Sequence, residues 1–383
     1  MRGRRAAAIL AGAVAGTAAS VALSRALIHR ERRRDDPGRS EPLNELPPED
    51  LGPVVSHDGT LLAVRAAGDP AAPALVFSHG FSLDMTTWHY QWKALSDRYR
   101  CIVYDQRGHG RSGSAERGDH SLQAMGGDLK VVLDAAVPEG PAVLIGHSMG
   151  GMAILAFAEA HPEEFGSRVV GAVFADTAAA ELIRGAVGGV MSRLLALAKT
   201  PARADRVKRY MKMGQSDLAF LVARLSNFGP KASPALVEHV AAVSGQAPVE
   251  VWTDGLAALV EMDLRHAIEH VSVPSLVIVG DLDRLTPPAS AHRLAEALPQ
   301  GRLVVLEGAG HMAPMERASQ FNRVLKRFLG QALEGRLAPA GKGRALGPPH
   351  AKQDRRPGRA QGPARRQRDR RPGLAPGRGA RAT

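Results

Sequence analysis

A chain of 383 residues with 44% hydrophobic content is long enough to bury one large α/β core with a subdomain, and too short for three separate domains. The formal net charge of +12 suggests a polyanion binder until the charges are located: residues 1–40 hold nine arginines against Glu31, Asp35 and Asp36, and residues 331–383 hold fourteen Lys/Arg against Glu334, Asp354 and Asp369, so the middle of the chain is mildly acidic. Cys101 is the only cysteine, which excludes an intramolecular disulfide, and its run Cys101-Ile102-Val103-Tyr104 fits a buried strand better than a reactive thiol.

Residues 6–23 carry no charge and are flanked by arginines on both sides. A run of about 18 residues is just long enough for a membrane-crossing helix. Its Ala- and Gly-rich composition leaves three readings: an uncleaved anchor, a signal peptide, or an exposed helix. Membrane association through this stretch is the expectation, with an exported or a cytoplasmic protein as alternatives. Asp35 to Pro53, rich in Pro, Glu and Asp, reads as a linker, so residues 1–52 form an apolar segment plus linker.

From Val54 the pattern changes to short apolar runs separated by turn signals and helical stretches, the rhythm of an α/β sheet. Val54–Ser56 and Leu61–Val64, separated by His57-Asp58-Gly59, predict an antiparallel hairpin. Further strands are predicted at Ala74–Ser78, Tyr99–Tyr104, the run ending at Ile145, Val169–Asp176, Ser275–Gly280 and Arg302–Glu307. Between Thr177 and about Val271 helical periodicity replaces the strand rhythm, which predicts an inserted helical cap over residues 178–271 between core parts 53–177 and 272–335. The apolar residues Met191, Leu194, Met211, Met213, Phe220, Leu221, Phe228, Trp252 and Met262 in it suit either ordinary packing or the wall of an apolar pocket. A last helix is predicted over Pro314–Leu333, with Phe321, Val324, Leu325 and Phe328 on one face. The tail, residues 336–383, is dominated by Arg, Pro, Gly and Ala; it cannot bury enough to fold and lacks the aromatics that would stack bases, so a nucleic-acid partner is not expected.

One stretch carries chemistry. Val143-Leu144-Ile145 stops at Gly146-His147-Ser148-Met149-Gly150-Gly151, a G-x-S-x-G in which a serine sits on a sharp strand-to-helix turn and small neighbours tolerate the strained backbone. Alone the pentapeptide is a loose pattern. Three other strand-end motifs accompany it in order: His79-Gly80-Phe81, Asp105-Gln106-Arg107-Gly108-His109-Gly110-Arg111-Ser112, and Gly308-Ala309-Gly310-His311. Together they resemble the α/β-hydrolase superfamily, specifically its serine-nucleophile members with a helical cap, over roughly residues 53–333. The resemblance implies a mostly parallel eight-stranded sheet flanked by helices.

It also implies roles. Ser148 needs a base, and His311 in its Gly-rich loop is the candidate. His79, His109 and His147, each inside a motif, are expected to pack loops. The carboxylate that orients the imidazole is Asp283 by the family spacing G-x-x-D-x-x-x-P, with Asp176 at the end of the preceding strand as the alternative. Backbone N–H groups of Phe81 and Met149 fit an oxyanion hole. Asp105 and Arg107 are expected to brace loops. No cofactor or metal is implied. The expected activity is hydrolysis of a carboxylic ester, with lipid-like esters among the candidates, through an acyl-enzyme on Ser148. Perhydrolase, haloperoxidase-like, C–C bond hydrolase and acyltransferase chemistry share the same three residues, and a catalytically silent binding protein is the non-enzyme alternative.

Overall fold

A computed structural model describes residues 25–333, except 27, 37, 116–117, 181–216 and 249. Eight strands form one sheet: β1 (Glu49–Val55), β2 (Leu61–Ala67), β3 (Ala74–Ser78), β4 (Arg100–Tyr104), β5 (Ala142–His147), β6 (Val169–Ala175), β7 (Ser275–Gly280) and β8 (Gly301–Leu306). Their order is β1-β2-β4-β3-β5-β6-β7-β8. β2 runs antiparallel to β1 and β4, and every other pair is parallel. The helices described are α1 (His89–Leu95), α2 (Leu122–Ala136), α3 (Met149–Ala160), α4 (Asp217–Asn227), α5 (Pro234–Ser244), α6 (Leu256–Glu261), α7 (Pro288–Ala297), α8 (Ala313–Glu316) and α9 (Ala318–Leu333).

Strands β3, β4, β5 and β7 are buried at every residue, because helices cover both faces of a parallel sheet. Successive side chains alternate between two cores. On one face Val76, Ile102, Leu144 and Phe174 pack with Met125, Leu129 and Ile154 of α2 and α3. On the other, Phe77, Val103, Ile145 and Ile278 pack with Trp88, Trp92, Phe321 and Leu325 from the α1 and α9 side. Cys101 lies in the second core, where burial pushes its thiol up to about 12, which keeps it protonated and unreactive.

Three expectations need correction. The first strand begins at Glu49, not Val54, and takes in part of the supposed linker, with a bulge between Asp50 and Pro53. The last helix is broken at Arg317, whose guanidinium reaches back to the carbonyls of Glu307 and Gly308. Most importantly, the described residues before β1 do not behave as a free linker. They form a strap: Arg32 pairs with Asp217 and Glu238, Asp36 accepts hydrogen bonds from Ser233 Oγ (2.7 Å) and Ala235 N–H (3.0 Å), and Glu41 pairs with His89 (2.6 Å). Ile28 and Leu43 are buried in a third cluster with Phe220, Phe228, Met312 and Met315. The apolar run 6–23 and the tail 336–383 lie outside the described residues, and among those described no helix is long and apolar enough to cross a membrane.

The chain between β6 and β7 leaves the core at Ala180 and returns at Asp263, which pair in an antiparallel bridge. Its described part is helical, α4 to α6 with a wide turn at Val251–Gly255. Phe220, Phe228 and Met262 serve packing, and Leu221 lies against the cluster that holds the first two. Trp252 instead meets Phe81 edge-on at 5.0 Å. Met191, Leu194, Met211 and Met213 lie outside the described residues.

Candidate active site

Ser148 stands between β5 and α3 with φ 51° and ψ −117°, a conformation that a residue with a side chain rarely adopts. Such strain costs on the order of 1–3 kcal/mol and persists only where the surroundings hold it. Here they do. A Cβ on Gly146 would sit 2.5 Å from backbone atoms of Gly150 and Gly151, and one on Gly150 would sit 2.1 Å from the Ser78 carbonyl oxygen, so β5, α3 and β3 approach at distances only glycine permits. The Ser148 N–H donates to Ala175 C=O at 2.9 Å, and the Ser148 carbonyl accepts from Thr177 Oγ1 at 2.7 Å.

From this turn a continuous hydrogen-bonded chain runs across three loops. Ser148 Oγ lies 3.0 Å from His311 Nε2, and His311 Nδ1 lies 2.9 Å from Asp283 Oδ2. Asp283 follows β7 and His311 follows β8, so the sheet delivers all three at the carboxyl ends of its strands. Asp283 is well supplied with donors: the N–H groups of Leu285 (2.8 Å) and Thr286 (2.9 Å) reach Oδ1, and Thr286 Oγ1 (2.6 Å) joins His311 at Oδ2. Burial alone would raise this carboxyl, but the His311 ring and the Thr286 donors hold it below the usual carboxylate value. It stays ionised, and an acceptor-only carboxylate facing Nδ1 puts the His311 proton there, which leaves Nε2 able to accept from the serine.

Asp176, the alternative acid, does not touch His311. Its Oδ1 accepts from Gly280 N–H (2.9 Å) and its Oδ2 from Ala313 N–H (3.1 Å), so it ties the end of β7 to the start of α8. Burial, with the charge of Asp283 beside it, pushes its pKa well above the usual value.

Met149 is the first residue of α3, and the N–H groups of a first helical turn have no partner within the helix. Phe81 follows Gly80, where a Cβ would lie 3.2 Å from Ser148 Cβ, so the loop after β3 comes down directly on the serine. Met149 thus adjoins Ser148 in the chain, and the loop that carries Phe81 packs on the serine through Gly80.

The other motif residues build the walls. His79 donates Nδ1–H to Gly80 C=O (2.8 Å) and accepts Gln106 N–H at Nε2 (3.0 Å). His109 donates to Arg107 C=O (2.9 Å) and accepts Ser82 N–H (3.1 Å). His147 donates Nε2–H to the carbonyl of His311 itself, at 2.8 Å. Burial pushes these rings down to about 4, 3 and 3 respectively, so each is neutral at pH 7. Arg107 clasps Asp128 through Nε and Nη2, both at 2.6 Å, and Asp105 accepts the N–H groups of Met85 and Arg111, both at 2.7 Å. The bracing roles of Asp105 and Arg107 are those expected. His147 packs a loop as expected, whereas Thr286 and Glu316 are supports the sequence reading does not single out; Thr286 carries a readable signal, since an aspartate tends to bond the backbone N–H groups just after it in an Asx-type turn. Among the described residues, no group of three or more His, Cys, Asp or Glu is placed to hold a metal ion.

Known proteins agree with this architecture. A model of the alpha/beta hydrolase fold family matches residues 73–318. The chain is 30% identical over 290 residues to 3-oxoadipate enol-lactonase 2 of Acinetobacter baylyi, covering 72% of this chain and 99% of that protein. It is 29% identical to the pimeloyl-acyl-carrier-protein methyl ester esterase of Aeromonas hydrophila subsp. hydrophila, covering 67% and 96%. Among solved structures, a thermophilic esterase from Thermogutta terrifontis superposes with a TM-score of 0.61 at 28% identity, over 73% of this chain and 98% of that one. With the family model spanning most of the chain and an enol-lactonase matched almost end to end, this protein belongs to the α/β-hydrolase fold family.

Proposed function

We propose that the protein hydrolyses a small carboxylic ester or lactone through an acyl-enzyme on Ser148. The observation that carries this reading is the unbroken chain Ser148 Oγ, His311 Nε2, His311 Nδ1, Asp283 Oδ2, at 3.0 and 2.9 Å, on the strand-end loops of a fold whose similar members include esterases and a lactonase. His311 takes the serine proton as Oγ attacks the carbonyl carbon. The Phe81 and Met149 N–H groups receive the developing oxyanion, and losing one such donor typically reduces turnover by about 10²–10³. The imidazolium, steadied by Asp283, then protonates the leaving alkoxide. Water, deprotonated by the same ring, releases the acid and restores Ser148. Phe81 follows Gly80, which packs on Ser148, and its ring meets Trp252 at 5.0 Å; that aromatic pair favours an uncharged, apolar acyl or alcohol group.

A panel of p-nitrophenyl esters and lactones, run beside Ser148→Ala, tests this. Turnover should fall to the uncatalysed rate in Ser148→Ala, and a fluorophosphonate should label Ser148 in the wild type. Folded wild-type protein that neither turns over an ester nor takes the label would refute the reading.

A further inference from the structure

The loop that carries His311 is held by its backbone at four consecutive residues. Gly310 N–H donates to Glu316 Oε2 (2.8 Å), His311 C=O accepts from His147 (2.8 Å), Met312 N–H donates to Asn227 C=O (3.0 Å), and Ala313 N–H donates to Asp176 (3.1 Å). His147 and Asp176 stand at strand ends of the core. The other two clamps lead to the helical insert. Asn227 is the last residue of α4, and the Glu316 carboxylate that takes Gly310 N–H also takes Gly229 N–H, at 3.0 and 3.1 Å.

The two segments meet backbone to backbone. A Cβ on Gly310 would lie 2.6 Å from the Phe228 carbonyl carbon, and one on Gly229 would lie 2.5 Å from Gly308 O and 2.8 Å from Glu316 Oε1. No side chain can slip between them to absorb a shift of either. A displacement of the turn 227–229 is therefore transmitted to the residue next to His311.

We propose that Glu316 is a positioning residue for His311, binding the base loop to the insert so that Nε2 reaches Ser148 Oγ only while the turn 227–229 is seated. This rests on Ser148 and His311 acting as nucleophile and base. Glu316 touches neither reacting atom; it works through the Gly310 backbone. A carboxylate suits the task, having two oxygens with several acceptor directions and no proton to donate, and its charge-assisted bonds are about twice as strong as neutral ones. The insert thereby takes part in turnover, apart from any contact it makes with substrate.

The test uses the full chain with Glu316→Ala, Glu316→Gln, Gly229→Ala and the double variant Gly229→Ala/Glu316→Ala. Active sites are titrated with a fluorophosphonate, and p-nitrophenyl butyrate turnover is expressed per titrated site. Because misplacement by about 1 Å can cost about 10²-fold, Glu316→Ala should lower kcat about 10- to 100-fold with KM within about threefold. Glu316→Gln should stay within about fivefold of wild type on the same grounds, since an amide oxygen in the Oε2 position meets both N–H groups. Gly229→Ala should resemble Glu316→Ala, and the double variant should be no worse than the weaker single, as both break one bridge. If Glu316→Ala does not fold, Glu316→Asp, too short to span both N–H groups, replaces it under the same criterion. Unchanged kcat per titrated site, or losses that multiply in the double variant, would overturn the proposal. Wild-type protein that fails to label on Ser148 would refute the serine-hydrolase reading itself, whereas labelling of Glu316→Ala as fast as wild type would refute only the positioning role.

Discussion

Replacing Asp283 with asparagine should abolish most turnover while leaving the fold in place. Two backbone N–H groups, from Leu285 at 2.8 Å and Thr286 at 2.9 Å, point at Oδ1 and cannot turn away, so the asparagine oxygen must take that position. Its NH₂ then occupies the Oδ2 position, facing Thr286 Oγ1 and His311 Nδ1. The threonine hydroxyl can rotate to accept. His311 can accept only by giving up its Nδ1 proton, which places a proton on Nε2, 3.0 Å from the serine oxygen that the proposed mechanism has it deprotonate. The wrong tautomer costs on the order of 10⁴ in kcat, or about 5.5 kcal/mol of barrier. KM should change only a few-fold, and because every polar contact finds a replacement, stability should fall by less than about 2 kcal/mol. Steady-state kinetics on p-nitrophenyl butyrate and urea denaturation of the same samples measure both. A variant within tenfold of wild-type kcat would refute Asp283 as the orienting acid. Asp176→Asn supplies the contrast: its oxygens bind only Gly280 and Ala313 N–H, so it should weaken folding and lose at least about 100-fold less activity than Asp283→Asn.

Arg107→Ala should destabilise by about 3–5 kcal/mol, because it strands the buried Asp128 carboxylate; urea denaturation checks this, and a loss below about 1 kcal/mol would refute the bracing role. Gly150→Ala should fail to label at Ser148 and show a lowered Tm, since its methyl would meet backbone of β3 that cannot swing aside; wild-type labelling would contradict the packing of the elbow. The buried rings of His79, His109 and His147 predict acid sensitivity. Their folded pKa values, about 4, 3 and 3, lie below the unfolded value of about 6.5, so the unfolded chain takes up protons that the folded one refuses. Their contribution is intact above about pH 6.5 and is lost as pH falls toward 4, at up to about 4 kcal/mol per pH unit for the three together. Denaturation at several pH values should show this slope, and His109→Gln should reduce it by up to about a third; a slope that does not change would show that His109 is not held neutral by the fold.

How much of this was legible in the chain follows from how far each signal reaches. The elbow, the His79 and Asp105 turns, and the loops of Asp283 and His311 are local patterns at the ends of apolar runs, and a buried parallel strand announces itself by continuous apolar residues. The cores followed for the same reason. Asp283 and Asp176 could be ranked only by family spacing, since both end strands; what separates them is whether a loop bends toward His311, a property of three-dimensional approach. Glu316 looks ordinary in sequence because it acts on backbone groups of distant loops, and the motif that marks His147 does not say which carbonyl it holds. The strap is hard to read in sequence for a related reason. Pro- and charge-rich sequence has no periodicity, and its holding contacts are single polar pairs such as Asp36 with Ser233, 197 residues away.

That separation has a consequence for assembly. Segments joined across so long a loop meet late, because closing it costs chain entropy before any contact repays it. The strap is synthesised before nearly everything it binds, and α4 and α5 are not yet made when the first four strands are complete. During synthesis Ile28 and Leu43 therefore emerge well before the Phe220 and Phe228 they are buried with, whereas Glu41 meets His89 only 48 residues on. The strap thus joins the chain before β1 to the insert across its longest separations, on the side of the insert that adjoins Met312, next to His311.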